Sequence, residues 1–333
     1  MSGSADEQDT GDSGESTTFD QRVANHFESE PKVFARVKVS GRSHPGRVRP
    51  NNEDHYLVVR RYRGREILRS SIPKELLDEP EDHAYTLAVA DGMGGRKFGD
   101  LASLLAFLTG WELGGDEVKW IIKFNEKEKE ELQQKAQVFF RLINRALEEK
   151  ISENPRMAGM GTTLTICYTI GRELFVMHAG DSRAYLHRAG KLRQLTRDHN
   201  VAQLLVESGL ADRESPDAKR MKHVLTNVLG GPEQGLVVDV EHHQLEEGDT
   251  LLLCTDGLND MVTDAEIARI LGPDPVPDDA CIALEKLALE RGAKDNVTVV
   301  IARYKFPAVP SLVERLASDG ARALPPTGTM SDV

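Results

Sequence analysis

The chain has 333 residues, which is enough for one large domain or two ordinary ones, and 39% of them are apolar. Its formal net charge is −12, from 42 basic and 54 acidic residues. Binding to a nucleic-acid backbone needs an excess of lysine and arginine, so this balance argues against nonspecific nucleic-acid binding. The same charge disfavours a nuclease as the explanation of the acidic motifs described below.

Cysteine usage and hydropathy indicate the compartment. Cys167, Cys254 and Cys281 are widely spaced and form no CxxC pair, so neither a zinc site nor a disulfide framework is expected. No apolar stretch approaches the roughly 20 residues that span a bilayer. The N-terminus lacks the basic and apolar regions of a signal peptide. We therefore expect a soluble cytoplasmic protein that binds no membrane.

Composition divides the chain into one domain and two tails. Residues 1–30 are rich in Ser, Gly, Thr, Asp and Glu and have almost no apolar content, which predicts a disordered acidic tail. The strand and helix patterns lie within residues 31–306. Residues 307–333 contain Pro and Ser and are expected to form a flexible C-terminal tail. The chain has no internal repeat.

The first half of the domain predicts strands and then long helices. Apolar residues, alternating with polar ones or in short runs, predict strands at 33–39, 55–59 and 85–90. Residues 60–83 are charged and irregular, which indicates a surface excursion. Helical periodicity follows at 100–111 and again within 116–153, where an early run of charges indicates a solvated helix face.

The second half of the domain predicts an antiparallel meander and closing helices. Short apolar runs joined by tight turns across residues 162–187 indicate antiparallel strands. The stretch 196–232 combines a helix at 201–208 with polar residues and would suit a mobile loop beside a site. Helices are expected at 263–271 and 278–291. Strand meanders separated by long helices favour an α+β protein with antiparallel sheets and helices outside.

Single aspartates stand where predicted strands begin or end. Asp91 follows an apolar run and precedes a glycine-rich turn, and Asp256 stands in the same relation to another apolar run. Asp295 lies just before an apolar strand. These carboxylates could meet at one edge of a packed sheet, where oxygen ligands would suit Mg²⁺ or Mn²⁺ rather than zinc. A plain turn leading into a helix is the alternative for any one motif.

Seven short motifs follow one another along the chain. They are Arg49-Pro50-Asn51-Asn52-Glu53-Asp54, Asp91-Gly92-Met93-Gly94-Gly95, Gly159-Met160-Gly161-Thr162-Thr163, Gly180-Asp181-Ser182-Arg183, Asp198-His199, Asp256-Gly257-Leu258-Asn259-Asp260 and Asp295-Asn296. In order and spacing they resemble the motifs of the metal-dependent protein phosphatases, the protein phosphatase 2C or PPM family, and are most similar to its bacterial branch. The resemblance covers roughly residues 35 to 305 and implies a four-layer αββα sandwich of two antiparallel β-sheets flanked by helices.

The resemblance implies a centre of two divalent ions, Mg²⁺ or Mn²⁺. By position, Asp91 would bridge the ions, and Asp256 and Asp295 would complete the first site. The carbonyl of Gly92 would serve the second site. Two further carboxylates would act through metal-bound waters, and these are Glu53 and Asp54.

In bacterial members of the family, a third and weaker ion is held by residues that correspond to Asp181 and Asp260. Asp260 lies four residues after Asp256, so one helical turn would place both carboxylates on the same side. Asp181 has an alternative interpretation, because aspartate also favours the tight turns of hairpins.

The implied chemistry is hydrolysis of a phosphomonoester. Two ions about 3.5 to 4 Å apart can hold a shared water, lower its pKa and direct it at phosphorus. Arg49 is the expected phosphate clamp, because its planar guanidinium binds two oxygens at once, although it could be a surface arginine beside a turn. No CxxxxxR loop is present, which argues against a cysteine-based phosphatase. We therefore predict a monomeric protein-serine/threonine phosphatase that opposes kinases in cytoplasmic signalling.

Several residues have other expected roles. Thr162 and Thr163 are expected to bond backbone near the site, and Asp198 with His199 to form a helix N-cap and its neighbour. Many eukaryotic members carry a histidine, proposed as the general acid, that has no clear counterpart here, and Met93 cannot donate a proton. A metal-bound water is our expectation for the acid. Arg96 stands where bacterial relatives commonly have histidine.

Two alternatives share the fold. The first is a catalytically inactive member that binds partners as a regulatory module, which the presence of Asp91, Asp256 and Asp295 disfavours. The second is a partner-switching phosphatase that acts on a single small regulator. A metal-titrated assay on a generic phosphoester distinguishes the first alternative from an active enzyme, and a panel of phosphopeptides against full-length phosphoproteins tests the second.

Overall fold

Two antiparallel β-sheets form the centre of the structure, a computed structural model that describes residues 34–63, 69, 82–94, 98–116, 126–212 and 215–307. The predicted N-terminal tail and residues 308–333 of the predicted C-terminal tail lie outside these ranges, as do residues 64–68 and 70–81 of the predicted excursion and Arg96. The strands are β1 (Arg36–His44), β2 (Asp54–Arg63), β3 (Asp82–Met93), β4 (Gly161–Thr162), β5 (Leu164–Ile170), β6 (Glu173–Ala179), β7 (Arg183–Arg188), β8 (Lys191–Gln194), β9 (Asp239–Gln244), β10 (Thr250–Cys254) and β11 (Val297–Lys305).

The two sheets have different strand orders. The five-stranded sheet runs β1-β11-β10-β7-β8, and the six-stranded sheet runs β2-β3-β5-β6-β9 with β4 paired to β3. The first strand was expected at 33–39 but spans 36–44, because its pairing with β11 continues from Arg36 opposite Lys305 to His44 opposite Val297. The two strands expected at 55–59 and 85–90 are present and extend further, to the bounds of β2 and β3.

Helices cover the outer face of each sheet. The α-helices are α1 (Gly99–Asp116), α2 (Glu126–Glu153), α3 (Val201–Glu207), α4 (Pro216–Met221), α5 (Asp256–Asn259), α6 (Asp264–Leu271) and α7 (Pro277–Glu290). The predicted closing helices are confirmed as α6 and α7 to within one residue at each end. No helix in the described part of the chain is long and apolar enough to cross a membrane.

Alternation along the central strands builds a layered core. In β3, Leu87 and Val89 are buried between the two sheets, whereas Ala88 and Ala90 are buried against α1 and α2. In β11, Val300 faces the other sheet and Val299 packs under the helices that follow β10. Because successive side chains of a strand point to opposite faces, each central strand contributes to two apolar layers. The result is the predicted αββα sandwich.

The register between the strands places acidic residues at one edge. Asp54 opens β2 and lies directly opposite Asp91, near the end of β3. In the other sheet, Cys254 at the end of β10 pairs with Val299 near the start of β11. Asp256 and Asp295 therefore stand just beyond neighbouring strand ends.

The start of α3 differs from the expectation at Asp198 and His199. Asn200 is the N-cap, and its side-chain oxygen accepts a hydrogen bond from the Gln203 N–H at 2.9 Å. Asp198 instead forms a bidentate ion pair with the Arg183 guanidinium, with Nε–Oδ1 at 2.9 Å and Nη2–Oδ2 at 2.6 Å. His199 Nε2 lies 2.9 Å from Asp239 Oδ2. The N-cap expectation was therefore wrong, because the Asp198 carboxylate is ion-paired with Arg183 and Asn200 caps the helix instead.

A buried polar network supports the turn between β6 and β7. His178 is 1% exposed, and its Nε2 donates to the Arg197 carbonyl at 3.1 Å, since a carbonyl can only accept. Its Nδ1 therefore accepts from the Thr165 hydroxyl at 2.8 Å. The His178 and His199 rings lie 4.8 Å apart. Burial lowers the pKa of His178 to about 4, so the ring is neutral at physiological pH.

This network predicts a loss of stability in mild acid. The unfolded chain binds a proton at His178 near pH 6.5 and the folded chain only near pH 4, so this group's contribution to stability is lost as the pH falls between those values. Between pH 7.5 and 5.0 the loss is about 2 kcal/mol, at ~1.4 kcal/mol per pKa unit. Urea titrations of wild type and His178→Gln at both pH values measure it. Equal pH dependence in the two proteins would contradict the assignment.

Candidate metal centre

Four aspartates from distant parts of the chain lie close together at the strand ends, and Asp54 is the most deeply buried of them. Burial raises the pKa of Asp54 to about 7, and the charges of Asp256 and Asp295 add to the rise. Burial also raises the pKa of Asp91 well above its ordinary value, and Asp54 is the largest of the charges that act with it. The structure therefore brings together the carboxylates that the sequence singled out at strand ends.

The backbone of Asp91 is fixed by the two adjacent threonines of the β4 region. Its N–H donates to Thr163 Oγ1 at 2.9 Å. Its carbonyl accepts from the Thr163 N–H and from Thr162 Oγ1, each at 2.9 Å. Both hydroxyls thus bond backbone beside the cluster, which agrees with the structural role expected for them.

Asp54 is held by hydroxyls from the opposite sheet. Its Oδ2 accepts from Thr255 Oγ1 at 2.8 Å and from Thr298 Oγ1 at 2.7 Å. Its Oδ1 is buried and has no hydrogen-bond partner among the described residues. Neither threonine was assigned a role from the sequence, where the only signal was their position next to the predicted ligands, one residue before Asp256 and three after Asp295.

Two glycines of the motifs are required by close backbone approaches. A Cβ on Gly92 would lie 1.9 Å from the Gly99 carbonyl oxygen, and one on Gly257 would lie 1.9 Å from the Asn296 carbonyl oxygen. The Gly92 N–H donates to the Glu53 carbonyl at 3.1 Å. No larger residue fits at either position without a backbone shift.

Asn296 joins the first acidic motif to the last. Its Oδ1 accepts from the Glu53 N–H at 2.7 Å, and its Nδ2 donates to the carbonyls of Pro45 at 3.0 Å and Asn51 at 2.8 Å. This side chain is 4% exposed. The asparagine was part of a recognised motif, but its function as a clamp on the loop before β2 emerges only from the three-dimensional contacts.

Arg49, Glu53 and Asp295 lie on the more open side of the cluster. Arg49 Nη2 donates to Asp295 Oδ2 at 2.7 Å, and the two side chains are 53% and 37% exposed. Burial raises the pKa of Glu53, while the positive charge of Arg49 acts to lower it. Arg49 therefore pairs directly with the predicted ligand Asp295.

The second acidic group lies between the β6–β7 turn and α5. Asp181 is 6% exposed, and burial, followed by the charge of Asp256, raises its pKa well above the ordinary value. Asp260 donates its N–H to the Asp256 carbonyl at 2.8 Å, so the expected helical turn places both carboxylates on one side. Lys222 Nζ donates to Asp260 Oδ1 at 2.5 Å.

His223 joins this second group, and the sequence did not single it out. Its Nδ1 lies 3.7 Å from Asp256 Oδ2, and its Nε2 lies 3.9 Å from Asp260 Oδ2. The side chain is 58% exposed. It follows α4 in the polar stretch that was expected to be a mobile loop, and no motif marked it.

These donors fit hard divalent cations. Asp54 Oδ1 and Asp256 Oδ1 are buried oxygens without a hydrogen-bond partner in the described ranges. Burying several like charges together costs free energy unless opposite charge compensates them. Carboxylate and carbonyl oxygens are the ligands that Mg²⁺ and Mn²⁺ prefer.

Comparison with known proteins gives the family. The model of the family described as "Protein phosphatase 2C" matches residues 77–274. The serine/threonine protein phosphatase PstP of Mycobacterium tuberculosis is 34% identical over 276 residues, which are 81% of this chain and 46% of PstP. The serine/threonine phosphatase stp of Listeria monocytogenes is 30% identical over 269 residues, 78% of this chain and 93% of that protein. The chain thus spans about half the length of PstP and nearly all of stp.

Solved structures agree with this match. The crystal structure of the PstP catalytic domain in complex with two manganese ions has a TM-score of 0.63 at 32% identity, covering 81% of this chain and 99% of that one. The structure of the S. agalactiae serine/threonine phosphatase has a TM-score of 0.65 at 29% identity. The match covers 80% of this chain and 99% of that one. These matches confirm the predicted fold. They show that the chain belongs to the protein phosphatase 2C family, in its bacterial branch.

Proposed function

We propose that this chain is a metal-dependent phosphatase that hydrolyses phosphoserine and phosphothreonine in proteins. The observation that carries the proposal is the convergence of Asp54, Asp91, Asp256 and Asp295 at one edge of the sandwich, where burial and neighbouring carboxylates raise the pKa of Asp54 and of Asp91. Relatives in the same family are named serine/threonine phosphatases, which supports the substrate class.

Mg²⁺ or Mn²⁺ ions are the proposed cofactors. Asp91, Asp256 and Asp295 would hold one ion, and Asp91 with the Gly92 carbonyl would hold a second. Bound there, the ions supply positive charge to a dianionic phosphate and lower the pKa of a water. The two manganese ions in the PstP crystal structure support this assignment.

Arg49 is proposed to bind the phosphate. Its guanidinium has five N–H donors, and one of its nitrogens donates to Asp295, which orients the group beside the predicted ligands. The side chain is half exposed, so the remaining donors are accessible to a substrate on the open side of the cluster. A planar guanidinium can pair with two phosphate oxygens at once.

Asp54 and Glu53 are proposed to position water. Thr255 and Thr298 occupy Oδ2 of Asp54, so Oδ1 is the atom that would accept a hydrogen bond from water. The Glu53 backbone is pinned by Asn296 on one side and Gly92 on the other, which sets the direction of its side chain. Both carboxylates would therefore act as fixed acceptors with little cost of reorganisation.

The cellular setting is proposed more broadly. Phosphorylated proteins made by serine/threonine kinases are the expected partners, and the protein is expected to act as a monomer in cytoplasmic signalling. The phosphatase domain is proposed to span residues 31–306, with tails on both sides. The acidic net charge of −12 disfavours a nucleic-acid partner.

Replacing a predicted metal ligand should abolish turnover. Asp91→Asn and Asp256→Asn each remove one negative charge and are expected to lower kcat at least about a hundredfold, because ions bind weakly or in the wrong place. The assay is hydrolysis of p-nitrophenyl phosphate with Mn²⁺ at saturating substrate, with circular dichroism as the check on folding. Asp278→Asn, an exposed aspartate at the start of α7, is the matched control. Near-normal turnover in both ligand variants would refute the metal assignment.

Removing the Arg49 guanidinium should weaken substrate binding. A hydrogen bond to a charged group contributes about 1.5–3 kcal/mol, so Arg49→Ala is expected to raise KM for a phosphopeptide by about tenfold or more. Arg49→Lys keeps the charge but loses the fork and should recover only part of the effect. The control is Arg141→Ala, an exposed arginine on α2. An unchanged KM in Arg49→Ala would show that phosphate is held elsewhere.

A further inference from the structure

The segment after α4 presents an imidazole to two carboxylates. The distances from His223 to Asp256 Oδ2 and to Asp260 Oδ2 are 3.7 and 3.9 Å, longer than the about 2.7–3.2 Å of a hydrogen bond. One ligand atom from each residue lies within 4.8 Å of the others. Ligand atoms that are each about 2.0–2.2 Å from one ion lie within roughly 4.4 Å of one another, so the spacing suits a shared ion after a small adjustment.

A second, independent feature also points to a cation. Asp256 Oδ1 is buried and has no hydrogen-bond partner in the described part of the chain. A buried carboxylate oxygen without a partner is costly unless a positive charge balances it. Asp181, at the turn between β6 and β7, is 6% exposed and adds negative charge to the same region.

Lys222 determines which oxygen of Asp260 is available. Its Nζ donates to Oδ1 at 2.5 Å, whereas Oδ2 faces the His223 ring. The carboxylate is therefore held in one orientation with one oxygen left for a further ligand. Adjacent residues of the same segment thus supply one fixed charge and one nitrogen donor.

We propose that His223, Asp256 and Asp260 form a mixed nitrogen and oxygen site for a divalent transition-metal ion. The family resemblance implies only carboxylates at a third ion; the imidazole is the contribution of this chain. Imidazole suits transition ions, whereas Mg²⁺ prefers oxygen ligands, so this site selects Mn²⁺ or a later transition ion over Mg²⁺. An ion there also ties the segment that carries α3 and α4 to the metal centre. The inference rests on the proposed function, since Asp256 belongs to both sites.

Pulsed electron paramagnetic resonance tests the nitrogen ligand directly. Mn²⁺ is added to the full chain, freed of any affinity tag, and the electron spin-echo envelope modulation is recorded. His223, Asp256 and Asp260 are the only such ligand group in the described residues, so ¹⁴N modulation is expected in wild type, lost in His223→Asn and retained in His243→Asn. The control His243 lies on β9 beside Glu241. Wild-type protein with its weakest Mn²⁺ site filled and no ¹⁴N modulation would overturn the proposal.

Equilibrium dialysis adds a thermodynamic measurement. His223→Asn should weaken the lowest-affinity Mn²⁺ site at least about tenfold and leave Mg²⁺ binding within about twofold, as expected for loss of a ligand. Equal losses for both ions, or none, would overturn the preference for a transition ion. The two proposals fail separately. Hydrolysis without ¹⁴N modulation refutes only the nitrogen ligand, and ¹⁴N modulation without hydrolysis in any divalent ion refutes only the phosphatase proposal.

Discussion

Repulsion among buried carboxylates is the constraint on which the structure depends. Asp54, Asp91, Asp181 and Asp260 all have raised pKa values, with burial as the main cause and neighbouring aspartates as a further one. Burying several carboxylates together is unfavourable for the free energy of folding unless positive charge balances them. Divalent ions held by these carboxylates, as proposed above, would provide that charge and would also attract and neutralise a phosphate. One set of side chains would then affect both stability and activity.

Contacts from several parts of the fold hold these carboxylates in place. Antiparallel register sets Asp54 opposite Asp91, and hydroxyls of Thr255 and Thr298 join the two sheets at Asp54. Asn296 fastens the loop before β2, and Gly92 and Gly257 let backbones approach closely. Preorganised acceptors of this kind need little rearrangement when ions and substrate bind.

Much of this arrangement could be predicted from the sequence, and the exceptions have physical reasons. Asp91, Asp256 and Asp295 stand next to apolar runs, so the strand pattern indicated that they could meet at one edge of a sheet. The roles of Thr255, Thr298 and Asn296 do not, because each bonds a residue more than 200 positions away. His223 carries no local pattern, and its position depends on how the α4 segment packs on α5. The ion pair between Asp198 and Arg183 could not be predicted either, because it depends on contacts between separate elements and not on the local sequence before the helix.

The most direct test of the account is a crystal of the chain soaked in Mn²⁺, with the ions located by anomalous diffraction. Two strong peaks are expected within bonding distance of Asp91, one of them shared with Asp256 and Asp295 and the other with the Gly92 carbonyl. An additional, weaker peak is expected beside Asp260 and His223. Peaks confined to the protein surface, or no peak at Asp91, would contradict the claim that these carboxylates exist to hold metal.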